Sequence, residues 1–236
     1  MKNSLQNPPK IAVIIPAVNE EESIGKVVSE IPSKIVSDII VCNNGSKDNT
    51  GVVAKSAGAI VLDENRPGYG WACLKGIEYV NSMEVKPDII VFLDGDYSDY
   101  PAELINVVAP IIENDIDLVI GSRALGLKEK GSMTFPQRFG NWLATRLMRI
   151  FYGVKYTDLG PFRAIKFDKL LELGMQDKTY GWTIEMQLKA ARKKFTYTEV
   201  PVNYKKRIGK SKVSGTIKGT VMAGYKIIFA VFKYRW

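Results

Sequence analysis

Five short apolar runs, each closed by turn-forming residues and separated from the next by a segment of helical period, most constrain what this chain can fold into. They are Ile11-Ala-Val-Ile-Ile, Asp38-Ile-Ile-Val-Cys, Ala59-Ile-Val-Leu, Asp88-Ile-Ile-Val-Phe-Leu and Asp117-Leu-Val-Ile-Gly. Unbroken aliphatic runs of this length read as strands buried on both faces, the habit of parallel sheets. Helix start signals stand between them: Glu20 to Ile31 after Asn19, Asn49 to Ala57 after Asp48, Gly70 to Asn81, and Pro101 to Glu113 after Asp99. The alternation predicts an α/β layered sheet, Rossmann-like in its first half. Further on, Gly126 to Pro136 reads as a mobile loop able to cover a site, Gln137 to Tyr152 and Thr183 to Lys193 as helices, and Thr196 to Tyr204 as a strand.

Composition narrows the chemistry. The chain has no histidine, which excludes His general bases, Ser-His-Asp and Cys-His catalysis and His-containing zinc sites. Carboxylates, basic groups or a metal held by oxygen must do the work. Cys42 and Cys73 are too few for a disulfide scaffold and point to a reducing compartment. The net charge of +8 is unevenly spread: residues 189–236 carry thirteen basic residues and one acid, Glu199, whereas the first 188 carry 20 basic and 24 acidic. An anionic partner is expected at the tail, whether nucleic acid, a phosphate-bearing substrate or a membrane surface. Ser214 to Arg235 places Ile217, Val221, Tyr225, Ile228 and Phe232 on one helical face, with Lys218, Lys226 and Lys233 interspersed. Such a helix either packs on the core or rests on anionic lipid. No secretory signal and no membrane span are read from the chain, so a cytoplasmic protein, peripheral to the membrane at most, is expected.

In open α/β sheets ligands bind beyond the carboxyl ends of the strands. There stand Pro16-Ala-Val-Asn-Glu after the first run, Asn43-Asn-Gly-Ser-Lys-Asp after the second and Asp94-Gly-Asp96 after the fourth. Two adjacent carboxylates repel unless a cation sits between them, and Mg²⁺ or Mn²⁺, completing its shell from substrate phosphates, fits; a solvated turn is the alternative.

Taken together, Ile14-Ile-Pro-Ala-Val-Asn-Glu-Glu, Asn43-Asn-Gly-Ser-Lys-Asp-Asn-Thr, Phe92-Leu-Asp-Gly-Asp-Tyr-Ser, Ile120-Gly-Ser-Arg, Asp158-Leu-Gly-Pro-Phe-Arg-Ala and Arg207-Ile-Gly-Lys-Ser-Lys resemble family 2 of the glycosyltransferases, and within it the polyprenyl-phosphate (dolichol-phosphate) hexosyltransferases. The resemblance implies a GT-A fold: a mixed nucleotide-binding sheet flanked by helices, in one domain over residues 10–213. Residues 10–122 would be its nucleotide-sugar half and 123–213 its acceptor half, after an N-terminal tail of residues 1–9 and before a basic helix over 214–236. It implies that Pro16, Ala17, Asn19, Glu20, Asn43, Asn44, Asp94 and Gly95 line the nucleotide-sugar pocket. Asp94 and Asp96 would hold the metal, with Ser98 at a further polar position. Arg123, Arg207 and Lys212 would meet phosphates, and Arg163 and Glu185 would lie toward the acceptor. Asn19 and Glu20 have a lesser alternative as a helix cap with a first-turn acid, and Arg163 and Glu185 read equally as a buried structural ion pair.

Relatives commonly have two aspartates where this chain has Asn43 and Asn44. A carboxamide matches uracil's N–H and carbonyl better than guanine's paired donors, which favours a UDP-sugar over a GDP-sugar. The implied reaction transfers a hexose with inversion from a nucleotide diphosphate to polyprenyl phosphate, which is anionic already and needs no base. Catalytic weight then falls on Asp94, Asp96, Arg123 and Glu185. A hydroxyl acceptor, soluble or glycan, would need a base, for which Glu185 or Asp158 is the candidate. Expected partners are the donor, the polyprenyl phosphate, an anionic membrane surface and, left open, a recruiting membrane subunit. Nucleic acid is not expected, since the tail holds no recognisable module for it.

Overall fold

A computed structural model describes residues 8–209 and 217–235. The elements in chain order are β1 (Ile11–Ala17), α1 (Ile24–Glu30), β2 (Asp38–Asn43), α2 (Thr50–Ser56), β3 (Ile60–Asp63), α3 (Tyr69–Ser82), β4 (Ile89–Phe92), α4 (Leu104–Asn114), β5 (Leu118–Ser122), α5 (Phe135–Tyr152), β6 (Arg163–Lys166), α6 (Phe167–Leu173), α7 (Trp182–Arg192), β7 (Tyr197–Pro201) and α8 (Ile217–Lys233). The sheet has seven strands in the order β3-β2-β1-β4-β6-β5-β7. All seven residues of β1 are buried, because parallel neighbours β2 and β4 flank it and helices cover both its faces. Ala12 and Ile14 pack on one side with Ala72, Cys73 and Phe92; Ile11, Val13 and Ile15 pack on the other with Ile24, Val27 and Leu104. At Gly76 of α3 a Cβ would lie 2.6 Å from Ile14 Cγ2, so glycine is what lets that helix approach β1 this closely.

The five runs are the strands β1 to β5. The strand that the sequence does not announce, β6, runs antiparallel between β4 and β5. Arg163-Ala-Ile-Lys166 has only two apolar residues between charged ends, too short a run to register, and tertiary pairing alone makes it a strand. Chain order places β2 and β3 on one side of β1 and β4 on the other, which makes the carboxyl ends of β1 and β4 the switch point at which open α/β sheets bind ligands. α1 begins one turn later than the sequence suggests. Asn19 has a left-handed backbone (φ 51°), and a turn in which Glu20 O accepts from the Ser23 and Ile24 amides precedes the helix. Residues 127–129, within the expected loop, are joined to the chain after β7: Tyr204 N donates to Leu127 O and Glu129 N to Tyr204 O, both at 2.9 Å.

α8 lies beside α5 and α7. Among the described side chains, Ala230 and Val231 of α8 and Tyr234 just after it are buried, whereas Tyr225, Ile228 and Phe232, from the face with the apolar stripe, are exposed. The reading of a helix packed on the core thus holds for one face, and the other face is exposed. No helix among the described residues is long and apolar enough to cross a membrane.

Candidate active site

The site is built on the loops that follow β1, β2 and β4. Asn44 N donates to Ala17 O at 2.8 Å, joining the first two. Gly95 sets the third against β1, since a Cβ there would stand 3.3 Å from the Ala17 Cβ and 3.5 Å from Pro16 O. Asn19 does not act as a helix cap. Its Oδ1 accepts from Lys47 N at 2.8 Å and its backbone N–H donates to Ser46 Oγ at 2.9 Å, which ties the β1 loop to the β2 loop. Glu20 is buried, with its backbone N–H on Thr50 Oγ1 and its carboxylate accepting from Ser23 Oγ.

Asp94 and Asp96 lie together beyond β4. The Asp94 carboxyl is pushed up to about 6 by burial and then by the charge of Asp96, with Arg207 opposing. Its Oδ1 accepts from Tyr69 Oη at 3.0 Å. Asp96 Oδ1 accepts from the Ser98 amide at 2.9 Å, and its Oδ2 is paired with the Arg207 guanidinium. Arg207 reaches it because the chain after β7 runs beside the Asp96 loop, with Lys205 N on Ser98 O (2.9 Å) and Ile208 N on Asp96 O (3.0 Å). A third carboxyl, Asp99, joins this cluster, although in the sequence it reads only as a helix start. It is buried and neither oxygen has a hydrogen-bond partner, and burial, followed by the Asp94 charge, pushes its pKa well above the usual carboxylate range. The spacing Asp94-x-Asp96-x-x-Asp99 is the signal that could have found it. A buried carboxylate left unpartnered is costly, and Asp99 meets that cost by holding its proton.

This donor set is all oxygen, which suits a hard divalent cation. Among the described residues no group of three or more carboxylates or thiols could by itself hold a metal ion. The pair therefore suits a cation that takes the rest of its shell from water and phosphates, as Mg²⁺ does.

Asn43 and Asn44 divide their roles. Asn44 is consumed internally: Nδ2 donates to Glu64 O (3.0 Å) and Arg66 O (2.7 Å), and Oδ1 accepts from Gly68 N (2.8 Å). It shapes the loop between β3 and α3 rather than presenting an amide. Asn43 Nδ2 donates to Asp63 Oδ1 at 2.9 Å, while its buried Oδ1 has no partner. In the same loop Arg66 donates through Nε to Glu64 Oε1 (2.8 Å), and this contact holds the Glu64 carboxyl down at about 2.

Beyond β5, charged residues are bound to their own chain. Arg123 grips Asp158 through Nε and Nη2, each at 2.8 Å, and its backbone N–H adds a third bond at 2.8 Å. The Asp158 charge keeps the guanidinium firmly protonated against burial. Arg163 is wholly buried and donates to the carbonyls of Leu159, Gly160 and Thr183. Glu185 is equally buried and accepts from Gln176 N (2.9 Å), Asp177 N (2.6 Å) and Tyr234 Oη (2.9 Å), with Lys189 Nζ at 2.7 Å. The two are not paired with each other. Glu185 fastens α7 to the residue that follows α8 and to the loop before α7, and none of its partners belongs to the carboxylate cluster. Lys212 lies outside the described residues.

A parallel half-sheet, an antiparallel strand inserted next to β4 and an aspartate pair at the switch point are the features of a GT-A fold. The chain belongs to glycosyl transferase family 2, whose sequence profile matches residues 12–174. It is 32% identical over 216 residues to an uncharacterised glycosyltransferase of Mycobacterium tuberculosis, covering 90% of this chain and 94% of that one. It is 30% identical to a dolichyl-phosphate hexose transferase of Haloferax volcanii, covering 86% of each. The fold matches glucosyl-3-phosphoglycerate synthase of Mycobacterium tuberculosis in complex with Mn²⁺, UDP-glucose and phosphoglyceric acid, with a TM-score of 0.75 at 22% identity over 96% of this chain and 80% of that one.

Proposed function

We propose that this family 2 glycosyltransferase moves a hexose from a UDP-sugar to a polyprenyl phosphate, inverting the anomeric carbon. The observation that carries the reading is the pairing of Asp96 with Arg207 beside Asp94, at the switch point of the sheet. Carboxylates for a cation and a guanidinium for phosphate there meet in one place, as a nucleotide diphosphate requires. Mg²⁺ or Mn²⁺ held by Asp94 and Asp96 would neutralise charge on the leaving diphosphate. An oxygen of the acceptor phosphate attacks the anomeric carbon, the bond to the β-phosphate oxygen breaks, and UDP leaves with the electron pair. Asn43 Oδ1, a buried acceptor without a partner, suits the single N3–H of uracil. The Arg123 fork leaves Nη1 for phosphate.

Two features support a lipid-linked acceptor. Asp158 and Glu185, the candidate bases for a hydroxyl, are saturated by internal partners. The phosphate route needs neither of them. The second is an exposed aromatic and basic surface on α5 and α8. Phe135, Phe139 and Trp142 form a ladder on α5 with ring centroids 6.4 and 5.8 Å apart, and Tyr225 and Phe229 stack at 6.0 Å on α8. Arg138, Arg146 and Arg149 are exposed on α5. Aromatic rings among arginines suit an anionic membrane interface. The similarity to the dolichyl-phosphate hexose transferase points the same way.

The test is a screen of UDP- and GDP-hexoses with Mn²⁺ or Mg²⁺ against a short polyprenyl phosphate, the matching polyprenol and 3-phosphoglycerate. Transfer from a UDP-hexose to the polyprenyl phosphate alone is expected. Transfer only to the soluble phosphate would overturn the acceptor, and a requirement for GDP would overturn the donor.

A further inference from the structure

Asp96 spends both oxygens inside the chain. Oδ1 is held by Ser98, whose amide donates at 2.9 Å, and Oδ2 by Arg207. A divalent cation that uses both members of the aspartate pair needs an oxygen that Arg207 already occupies, and two cations cannot share it without repulsion. The backbone around Arg207 is fixed on both sides: Lys205 N donates to Ser98 O (2.9 Å), Lys206 N to Glu129 Oε2 (3.0 Å) and Ile208 N to Asp96 O (3.0 Å). The Arg207 side chain keeps a quarter of its surface exposed, against 5% for Asp96. It can therefore rotate off the carboxylate without disturbing the loop that carries it.

We infer that Arg207 is an exchange residue of the donor site: it competes with a divalent cation for Asp96 and gives way when a nucleotide diphosphate offers its guanidinium a better anion. The inference rests on the reading of Asp94 and Asp96 as the cation ligands. Its consequence is ordering. The protein by itself binds the cation poorly, whereas cation and nucleotide together bind well, because the diphosphate receives Arg207 as Asp96 is released. One side chain then opposes the cation alone and favours the cation with nucleotide.

The opposite signs make the test sharp. Mn²⁺ is titrated into the full chain, followed by electron paramagnetic resonance of the free ion, without nucleotide and then with saturating UDP. Loss of one charge-assisted contact corresponds to about tenfold in affinity. Arg207→Met, and Arg207→Gln as a second variant that keeps polarity, should bind Mn²⁺ about tenfold tighter than the parent without UDP, and UDP should then improve binding less than it does in the parent. Lys205→Met removes a neighbouring cation that lies over the Tyr97 and Tyr100 rings rather than on a carboxylate. It should shift Mn²⁺ affinity less than about threefold, the scale of a screened charge at a distance. If both Arg207 variants bind Mn²⁺ no tighter than the parent while Asp96→Asn abolishes binding, the exchange role is wrong and the cation site stands. An equal gain in Lys205→Met would reduce the effect to general electrostatics and overturn the role as well. If Asp96→Asn binds Mn²⁺ like the parent, the cation site itself is misassigned.

Discussion

Asp94, half-buried, and Glu185, wholly buried, are both carboxylates for which the family resemblance implies a role, yet their surroundings are opposite. Asp94 has one hydrogen bond, from Tyr69, and shares its space with Asp96 and with Asp99, whose oxygens have none. Glu185 has two backbone amides, a tyrosine hydroxyl and an ammonium group. The cluster beyond β4 keeps hydrogen-bonding capacity unspent at Asp94 and Asp99, whereas Glu185, Asp158 and Arg163 are compensated from within the chain. Unspent hydrogen-bonding capacity marks where a ligand can bind at no cost in lost contacts, because every partner supplied by the chain, as at Asp96, is one that a ligand must displace.

The contrast is most exposed to failure at Asp94. Asp94→Asn should lower transfer by about a thousandfold or more, since it removes a ligand from the centre that stabilises the leaving group, while the thermal midpoint stays level or rises. Steady-state donor turnover and a melting curve on the same preparation check both halves of that statement.

Glu185→Ala should behave inversely. Stripping Lys189 and two backbone amides of their buried acceptor should cost about 3–5 kcal/mol in urea unfolding, whereas the fraction that remains folded turns over donor at a rate near that of the parent. A variant of full stability and no activity would return Glu185 to the catalytic set and dissolve the contrast.

Asp99→Asn probes the same point at smaller scale. Replacing a carboxyl that has no partner should raise stability by about 1 kcal/mol, read as a higher urea midpoint. A loss instead would mean that Asp99 is compensated within the chain.

The smallest effect belongs to the loop between β3 and α3. Arg66 holds the Glu64 carboxyl down at about 2 from an ordinary 4.5. The folded state thus binds its proton later than the unfolded chain, so the stabilisation is complete above pH 4.5 and drains away as the pH falls toward 2. Glu64→Gln should flatten that part of the acid limb in a series of urea midpoints.

Much of this molecule is legible in its amino-acid order. Strands β1 to β5 stand where their aliphatic runs stand, and α2, α3 and α4 follow within a residue or a few of their start signals. β6 is not legible, because Ala164 and Ile165 are too few to mark a strand and become one only by pairing with Val91, Ile90 and Leu118. Asp99 is visible as a letter but not as an orphaned carboxyl. Asn44 reads as a base contact, yet its amide is spent on Glu64, Arg66 and Gly68. On α8 the apolar stripe is legible, but which face packs is not, since Ala230 and Val231 on the far side are apolar too.

Local pattern is enough to settle the layered α/β architecture, the ends of the strands at which chemistry could occur, the exclusion of imidazole and the family. Those properties depend on neighbours a few residues apart, where period and turn chemistry operate. Folding alone settles which charged groups keep capacity for a ligand. Arg123 is neutralised by Asp158, 35 residues on, Glu185 is capped by Tyr234, 49 residues on, and Asp96 is met by Arg207 from the far end of the domain. A side chain's residual valence is set by partners that only the tertiary structure brings within hydrogen-bond reach, about 3 Å, and the order of residues along the chain carries no record of them.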